Sequence, residues 1–149
     1  MALVIGSKAP DFILPSTNGH SFQLNKDLKD KACVLYFYPK DFTQGCTKEA
    51  CEFRDHFSYF DNLDIDIIGI SRDDIKTHER FKNKLHLPFE LLSDSEETVT
   101  KKYKASVPLL GITRRITYLL DKDHNVAAVY ENMLGASKHI QQMVKEVKS

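Results

Sequence analysis

Two uninterrupted apolar segments place the strongest limits on how this chain of 149 residues can fold. The first, ACVLYFYP, covers residues 32–39, and the second, IDIIGIS, covers residues 65–71. Both are rich in β-branched or aromatic residues, and such runs are typical of strands that are covered on both faces. The chain is therefore predicted to build its core around a sheet with two buried faces.

Shorter patterns alternate with these runs. DFILPSTNGHSFQL predicts two short strands around a turn, ELLSD predicts another strand, and RITYLLD and VAAVYE flank the turn KDHN as in a β-hairpin. DIKTHERFKNKLHL predicts a helix ended by Pro88, and SEETVTKKYK predicts a helix that begins near Ser95 with Glu96 and Glu97 in its first turn. SKHIQQMVKEVK predicts a last helix that buries Ile140, Met143, Val144 and Val147. This order predicts a thioredoxin-like α/β fold, with a mixed central sheet and helices on both faces, in a single domain of residues 1–149.

A further helix is predicted from Thr43 onward. The residues Cys46, Ala50, Phe53, Phe57 and Phe60 recur at helical spacing, so they form one buried stripe. Cys46 lies in the first turn, where the free backbone N–H groups and the helix dipole favour a thiolate. Thr43 is placed either to cap this helix or to direct its hydroxyl at a molecule that approaches the sulfur. Gly45 allows a close approach to the backbone, and Pro39 fixes the entry to the loop and could shield the sulfur from water.

The spacing of Cys46 and Cys51 is unusual for a pair of cysteines. Five helical steps separate their Cα atoms by about 8.7 Å, whereas a disulfide needs less than about 7 Å. A thioredoxin-type reductase would need a C-x-x-C motif, which is absent, and a zinc module would need closer ligands and a fourth one. The six histidines show no metal-ligand spacing and are interpreted as surface or packing residues. Cys33 lies inside an apolar strand and is interpreted as part of the core.

Composition excludes some classes of partner. The 21 basic side chains balance 21 acidic ones, so neither nucleic acid nor a membrane surface is expected as a partner. The first apolar residues are too few for a signal peptide or a membrane span. Three cysteines without an export signal predict a reducing, cytoplasmic location.

The segment YFYPKDFTQGCTKEACEFRD resembles the active-site segment of the peroxiredoxins, and in particular that of the peroxiredoxin Q class, also called bacterioferritin comigratory proteins. The family pattern P-x-x-x-T-x-x-C is present as Pro39, Thr43 and Cys46. GISRDDIKTHERF, LPFELLSD and GITRRITYLLD match in the same order, so the resemblance covers nearly the whole chain. The usual DDTPGCT is altered by Phe42 and Gln44, and these changes bear on the substrate preference.

The resemblance implies a role for each matched residue. Cys46 would be the peroxidatic cysteine and Cys51 the resolving cysteine; Arg115 would be the active-site arginine, oriented by Glu49. Arg114 is interpreted as a solvated or salt-bridged residue at the end of a strand.

The implied enzyme is a monomeric antioxidant peroxidase that reduces hydrogen peroxide and organic hydroperoxides without a metal, flavin or haem. Its Cys46–Cys51 disulfide would be reduced by thioredoxin or a similar dithiol. In the alternative, Cys51 is a bystander and an external thiol resolves the oxidised Cys46.

Overall fold

Short strands and helices follow one another along the chain in the computed structural model, which describes residues 2–131 and 142. In chain order the elements are β1 (Ile13–Pro15), β2 (Ser21–Gln23), α1 (Leu24–Asp27), β3 (Cys33–Phe37), α2 (Gln44–Asp55), α3 (Phe57–Asn62), β4 (Asp66–Ser71), α4 (Ile75–Leu85), β5 (Glu90–Ser93), α5 (Thr98–Lys102), β6 (Ser106–Val107), β7 (Ile112–Thr113), β8 (Ile116–Leu120) and β9 (Val126–Glu131).

Five of the strands form one mixed sheet in the order β5-β4-β3-β8-β9. β3, β4 and β5 run parallel, while β8 pairs antiparallel with both β3 and β9. The two apolar runs of the sequence are the adjacent strands β3 and β4 near the centre of this sheet. The predicted mixed sheet is therefore confirmed, as is the hairpin of β8 and β9.

Each face of the sheet carries its own apolar core. Leu35 and Phe37 of β3 belong to the cluster that also contains residues of α1, α5 and the β1–β2 hairpin. Val34 and Tyr36 of the same strand point to the opposite cluster, which contains residues of α2, α3 and α4. Because side chains alternate along a strand, β3 supplies both cores at once. The thioredoxin-like arrangement, with helices on both faces, is confirmed.

The helix predicted from Thr43 differs in one respect from the single stripe of the sequence pattern. His56 interrupts it with φ −102° and ψ 7°, which divides the predicted helix into α2 and α3. Cys46, Ala50, Phe53 and Phe60 are fully buried as predicted, whereas Phe57 is only partly buried. Phe57 still packs against the core cluster that contains the other four residues.

Two helix ends were placed wrongly by the sequence pattern. α5 begins at Thr98 and not near Ser95, because Asp94 accepts hydrogen bonds from both the backbone N–H and the hydroxyl of Thr100, at 2.6 Å each. Glu97 precedes the helix in a left-handed conformation with φ 67°, so the acidic residues lie outside its first turn. α4 ends at Leu85, whereas the predicted helix runs to Leu87, the residue before Pro88. The reason is that His86 adopts a left-handed conformation and Leu87 N–H bonds to the Lys82 carbonyl.

The short elements α1, β6 and β7 were not predicted. The predicted last helix, with Ile140, Met143, Val144 and Val147, lies outside the described residues, so the prediction of a single domain over residues 1–149 stays a prediction. Across residues 2–131 and 142, we find no helix with the length and apolar character needed to cross a membrane.

Candidate active site

Cys46 lies in the first turn of α2, with its side chain turned toward the sheet. Thr43 occupies the N-cap position, and the first helical hydrogen bond runs from Thr47 N–H to the Thr43 carbonyl. The N–H groups of Gln44, Gly45 and Cys46 therefore precede the helical ladder and lie at the positive end of the helix dipole. Cys46 is only 1% exposed, so its sulfur faces this end of the helix from inside the protein.

Arg115 contacts the sulfur and fixes its surroundings. Its Nη2 donates to Cys46 Sγ at 3.3 Å, and its Nη1 donates to Glu49 Oε1 at 2.5 Å. The two acceptors are three residues apart on α2, which places them on the same side of the helix. A planar guanidinium can hold both partners at once, and it brings a positive charge next to the sulfur.

The register of the sheet explains why Arg115 reaches Cys46 from a position 69 residues away. Phe37, the last residue of β3, pairs with Ile116, the first residue of β8. Arg115 immediately precedes β8. It therefore lies at the end of the sheet where the chain leaves β3 toward α2. The family resemblance indicated Arg115 as a candidate, and this pairing brings it to the start of the helix.

Glu49 is fully buried, and Arg115 is partly buried. Burial raises the pKa of the Glu49 carboxyl to about 7, and the Arg115 guanidinium opposes this shift. Burial alone would lower the pKa of Arg115, but the Glu49 carboxylate and the Cys46 sulfur raise it overall. The guanidinium consequently keeps its charge at any working pH.

Gly45 leaves room for this guanidinium. A Cβ atom at position 45 would lie 3.0 Å from Arg115 Nη2, closer than nearly all real contacts of that kind. The close approach that the sequence predicted for Gly45 is therefore an approach by Arg115.

Thr43 and Pro39 lie in the loop that leads into α2. The Thr43 hydroxyl makes no cap to the helix; it donates to the Lys40 carbonyl at 2.8 Å. In this conformation, the hydroxyl oxygen offers lone pairs to an approaching group. Pro39 comes two residues after the end of β3 and is partly buried.

The other cysteines are placed differently. Cys51 is partly exposed and lies in the same unbroken helix as Cys46, and all three cysteines carry free thiols. Cys33 is fully buried in β3, and burial raises the pKa of its thiol far above the usual range, as expected for an unreactive core residue.

Arg114 contacts the Glu131 carboxylate at 2.9 Å and donates to the Lys104 carbonyl at 2.6 Å. This agrees with its interpretation as a salt-bridged residue at a strand end.

Sequence reasoning missed a polar group beside the site. His78 of α4 is fully buried, and its Nδ1 lies 2.5 Å from Oδ2 of Asp41, which belongs to the loop between β3 and α2. The interpretation of the histidines as surface or simple packing residues was therefore wrong for His78. The two residues are 37 positions apart, so no local spacing signals the contact.

Comparisons with known proteins agree with this geometry. The model of the AhpC/TSA family matches residues 5–129, and the chain belongs to this family. A Coxiella burnetii protein with the provisional name peroxiredoxin bcp is 44% identical over 137 residues, which cover 87% of this chain and 89% of that protein. The chloroplastic peroxiredoxin Q of Oryza sativa subsp. japonica is 43% identical over 97% of this chain and 66% of its own length.

A solved structure of the Xanthomonas campestris bacterioferritin comigratory protein, described in terms of its alkyl peroxide reduction activity, superposes with a TM-score of 0.87. Its sequence is 26% identical, and the match covers 97% of this chain and 98% of that one. Within the AhpC/TSA family, the chain is thus a peroxiredoxin of the Q, or bacterioferritin comigratory protein, class. It is a thiol-dependent peroxidase.

Proposed function

We propose that Cys46 is the peroxidatic residue of this enzyme. The observation that carries the proposal is the Arg115 guanidinium, which contacts Cys46 Sγ and is held in place by Glu49. Its charge favours the thiolate, which is the nucleophilic form of a cysteine. Attack of the thiolate on the terminal oxygen of a hydroperoxide breaks the O–O bond, gives a sulfenic acid on Cys46 and releases an alkoxide, which becomes an alcohol after taking up a proton.

The donors around the sulfur fit the charge that moves in this step. Negative charge shifts from the sulfur to the leaving oxygen, and Arg115 and the N–H groups at the start of α2 are donors for it. Thr43 accepts from the hydroperoxide with its hydroxyl oxygen and helps to align it. Pro39 limits the access of water to the sulfur.

Cys51 completes the cycle as the resolving residue. Its thiol condenses with the Cys46 sulfenic acid, forming the disulfide and releasing water. A dithiol reductant, for which thioredoxin is the proposed protein, then returns both thiols by exchange. The alternative in which an external thiol resolves Cys46 stays open, because Cys46 and Cys51 lie in one continuous helix in the described structure.

Hydrogen peroxide and organic hydroperoxides are the proposed substrates. The alkyl peroxide reduction named for the Xanthomonas campestris relative supports the organic substrates. Phe42, which is 48% exposed at the loop between β3 and α2, supplies apolar surface close to the site. We expect the ratio of rates for an alkyl hydroperoxide and hydrogen peroxide to fall when Phe42 is replaced by Asp.

The experiment that tests the proposed function is peroxide turnover with thioredoxin, thioredoxin reductase and NADPH. The wild type should turn over, Cys46→Ser should not, and Cys51→Ser should react once and stop unless another thiol is added. Turnover by Cys46→Ser would move the nucleophile elsewhere, and full turnover by Cys51→Ser would support the external-thiol alternative.

The compartment and the assembly state belong to the same proposal. The three cysteines support a reducing compartment, with the cytoplasm as the proposed one, although the rice relative is named as chloroplastic. The protein is proposed to be a monomer. Cell fractionation and sedimentation of the reduced protein test these two points.

A further inference from the structure

A buried polar network holds the loop that connects β3 to α2, residues 38–43. Asp41, in the middle of this loop, is 3% exposed and turns its carboxylate inward. Its Oδ1 accepts from the Tyr38 hydroxyl at 2.6 Å, and its Oδ2 lies 2.5 Å from Nδ1 of the fully buried His78. The backbone N–H of Asp41 donates to Asp73 Oδ2 at 2.8 Å. Side chain and backbone therefore both tie this loop to the start of α4.

The hydrogen-bond geometry determines how many protons the Asp41–His78 pair holds. His78 Nε2 lies 2.9 Å from the Leu92 carbonyl oxygen, which can only accept, so Nε2 carries a proton. The contact between Nδ1 and Oδ2 needs one more proton, carried either by the ring or by the carboxyl group. Without it, two lone pairs would face each other at 2.5 Å, away from water. The closed pair is consequently neutral as a unit and shares one proton.

Other groups around the pair are consistent with this proton count. Within the loop, just after β3, the Tyr38 hydroxyl donates to Asp41, and burial, followed by the nearby Tyr36 and Asp41, raises the pKa of Tyr38 well above its ordinary value. From the corner between β4 and α4, Asp73 Oδ2 accepts from the Ser71 hydroxyl at 2.6 Å as well as from Asp41 N–H. The Asp74 carboxylate caps α4 through Thr77 N–H.

The loop between β3 and α2 also carries a strained residue next to Asp41. Phe42 has φ 64°, a left-handed conformation that is unfavourable for a bulky side chain. Its ring packs edge-on against Phe81 of α4, with centroids 5.1 Å apart. Phe42 is followed directly by Thr43 and the start of α2. The strained residue of the loop is thus in contact with α4.

We propose that Asp41 and His78 are positioning residues for the peroxide reaction: the buried hydrogen bond between them keeps Pro39, Thr43 and the first turn of α2 in place around Cys46. The proposal rests on the role of Cys46 given above. His78 lies on α4, whereas Cys46 lies on α2. His78 therefore affects the reaction rate without contacting the reacting atoms.

Single-turnover kinetics of the reduced protein with hydrogen peroxide test the proposal. Asp41→Ala and His78→Leu break the pair, and each should lower the rate constant about tenfold to a hundredfold, since small misplacements of reacting groups have effects of this size. Asp41→Asn should recover most of the rate. Its amide can donate to Nδ1 of a neutral His78 and accept from Tyr38, so the contacts survive without the shared proton.

His124→Leu is the matched control. His124 is also buried, and its Nε2 contacts the Leu28 and Lys31 carbonyls at 2.8 and 3.1 Å, outside the candidate site. Its loss should lower the melting temperature without lowering the rate constant. The proposal is overturned if Asp41→Ala reacts as fast as the wild type. It is equally overturned if folded Asp41→Asn is as slow as Asp41→Ala.

Nitrogen-15 NMR of the histidine rings tests the pair in the wild type, independently of any variant's folding and of peroxide chemistry. We expect a proton at the Nδ1 contact of His78 that is protected from exchange, together with a protonated Nε2. An Nδ1 that exchanges and titrates like a solvent-exposed ring would refute the shared proton. If the wild type does not react with peroxide at Cys46, the proposed function fails, while this measurement still decides whether the pair exists.

Discussion

At the residue scale, one guanidinium organises the candidate site. Arg115 holds Cys46 Sγ and Glu49 Oε1 at the same time, and Gly45 leaves the space in which it does so. The three α2 residues lie within five positions of one another. A contact from a distant strand end thus places a positive charge next to the sulfur of a cysteine at a helix start.

Replacement of Arg115 by Lys should slow the reaction of Cys46 with hydrogen peroxide about tenfold or more, because lysine keeps the charge but loses the planar fork that holds two partners. Stopped-flow measurement of the reduced protein gives this rate. Arg114→Lys is the matched control, since Arg114 contacts Glu131 and not the sulfur. If Arg114→Lys reacted slowly and Arg115→Lys reacted at the normal rate, Arg114 would be the active-site arginine instead.

Glu49 should give the site a pH dependence of its own. Its carboxyl has a pKa of about 7, so acidification through pH 7 protonates it and weakens its hold on Arg115. The peroxide rate of the wild type, divided by that of Glu49→Gln, should therefore rise as the pH increases through about 7. A ratio that stays constant from pH 5.5 to 8.5, a range of about 1.5 units on each side, would contradict this role.

The same carboxyl should affect stability in the opposite direction. Its pKa in the folded protein lies above the ordinary value of 4.5, so its contribution to stability is complete below that pH and is lost as the pH rises through about 7. The free energy of unfolding of Glu49→Gln should vary less with pH over this window, as measured by denaturant titration at several pH values.

At the element scale, the proposed reaction cycle gives α2 two incompatible tasks. The intact helix keeps Cys46 at its N-terminus, whereas a bond to Cys51 requires the Cα atoms to approach from about 8.7 Å to less than about 7 Å. Terminal helical turns open at low free-energy cost. Gln44 and Gly45 lie in the turn that would unwind.

The disulfide form should have faster amide exchange over residues 43–52 than the dithiol form, because the first turn of α2 must unwind. Hydrogen exchange followed by mass spectrometry measures this difference. Cys51→Ser treated with one equivalent of peroxide is the control, since it is oxidised but cannot form the bond. Equal protection of the segment in both redox states would argue against Cys51 as the partner.

The close packing around Gly69 of β4 leads to a prediction about stability. A Cβ atom at Gly69 would lie 2.8 Å from Leu91 Cδ2 and 2.8 Å from Tyr36 Cζ, with strands on both sides. Gly69→Ala should therefore lower the free energy of unfolding by about 1–3 kcal/mol, as overpacking of a core does. Denaturant unfolding measures it, and an unchanged midpoint would show that the two neighbours move aside freely.

Strands and helices could be predicted from the sequence where the local spacing of apolar residues determines them. The buried strands and the stripe of Cys46, Ala50 and Phe53 follow from local periodicity. The segment from Pro39 to Cys51 contains the candidate residues of the site apart from Arg115. The start of α5 was missed because Asp94 caps it from outside the expected first turn. Such a cap depends on the three-dimensional path of the chain before the helix.

At the scale of the whole molecule, sheet pairing brings the distant parts of the site together. The pairing of Phe37 with Ile116 places Arg115 beside the first turn of α2, which carries Cys46, and His78 reaches the preceding loop from α4. The family resemblance indicated Arg115, whereas the Asp41–His78 contact has no local pattern and could be seen only in the folded chain.

The most direct test of the central claim is the intact mass of the reduced protein after one equivalent of hydrogen peroxide, without any reductant. We expect the wild type to lose two hydrogen atoms as Cys46 and Cys51 join. Cys51→Ser should gain one oxygen atom on Cys46, and Cys46→Ser should remain unchanged. A wild type that gains oxygen without forming the bond, or a Cys46→Ser variant that is still oxidised at the same rate, would contradict the account.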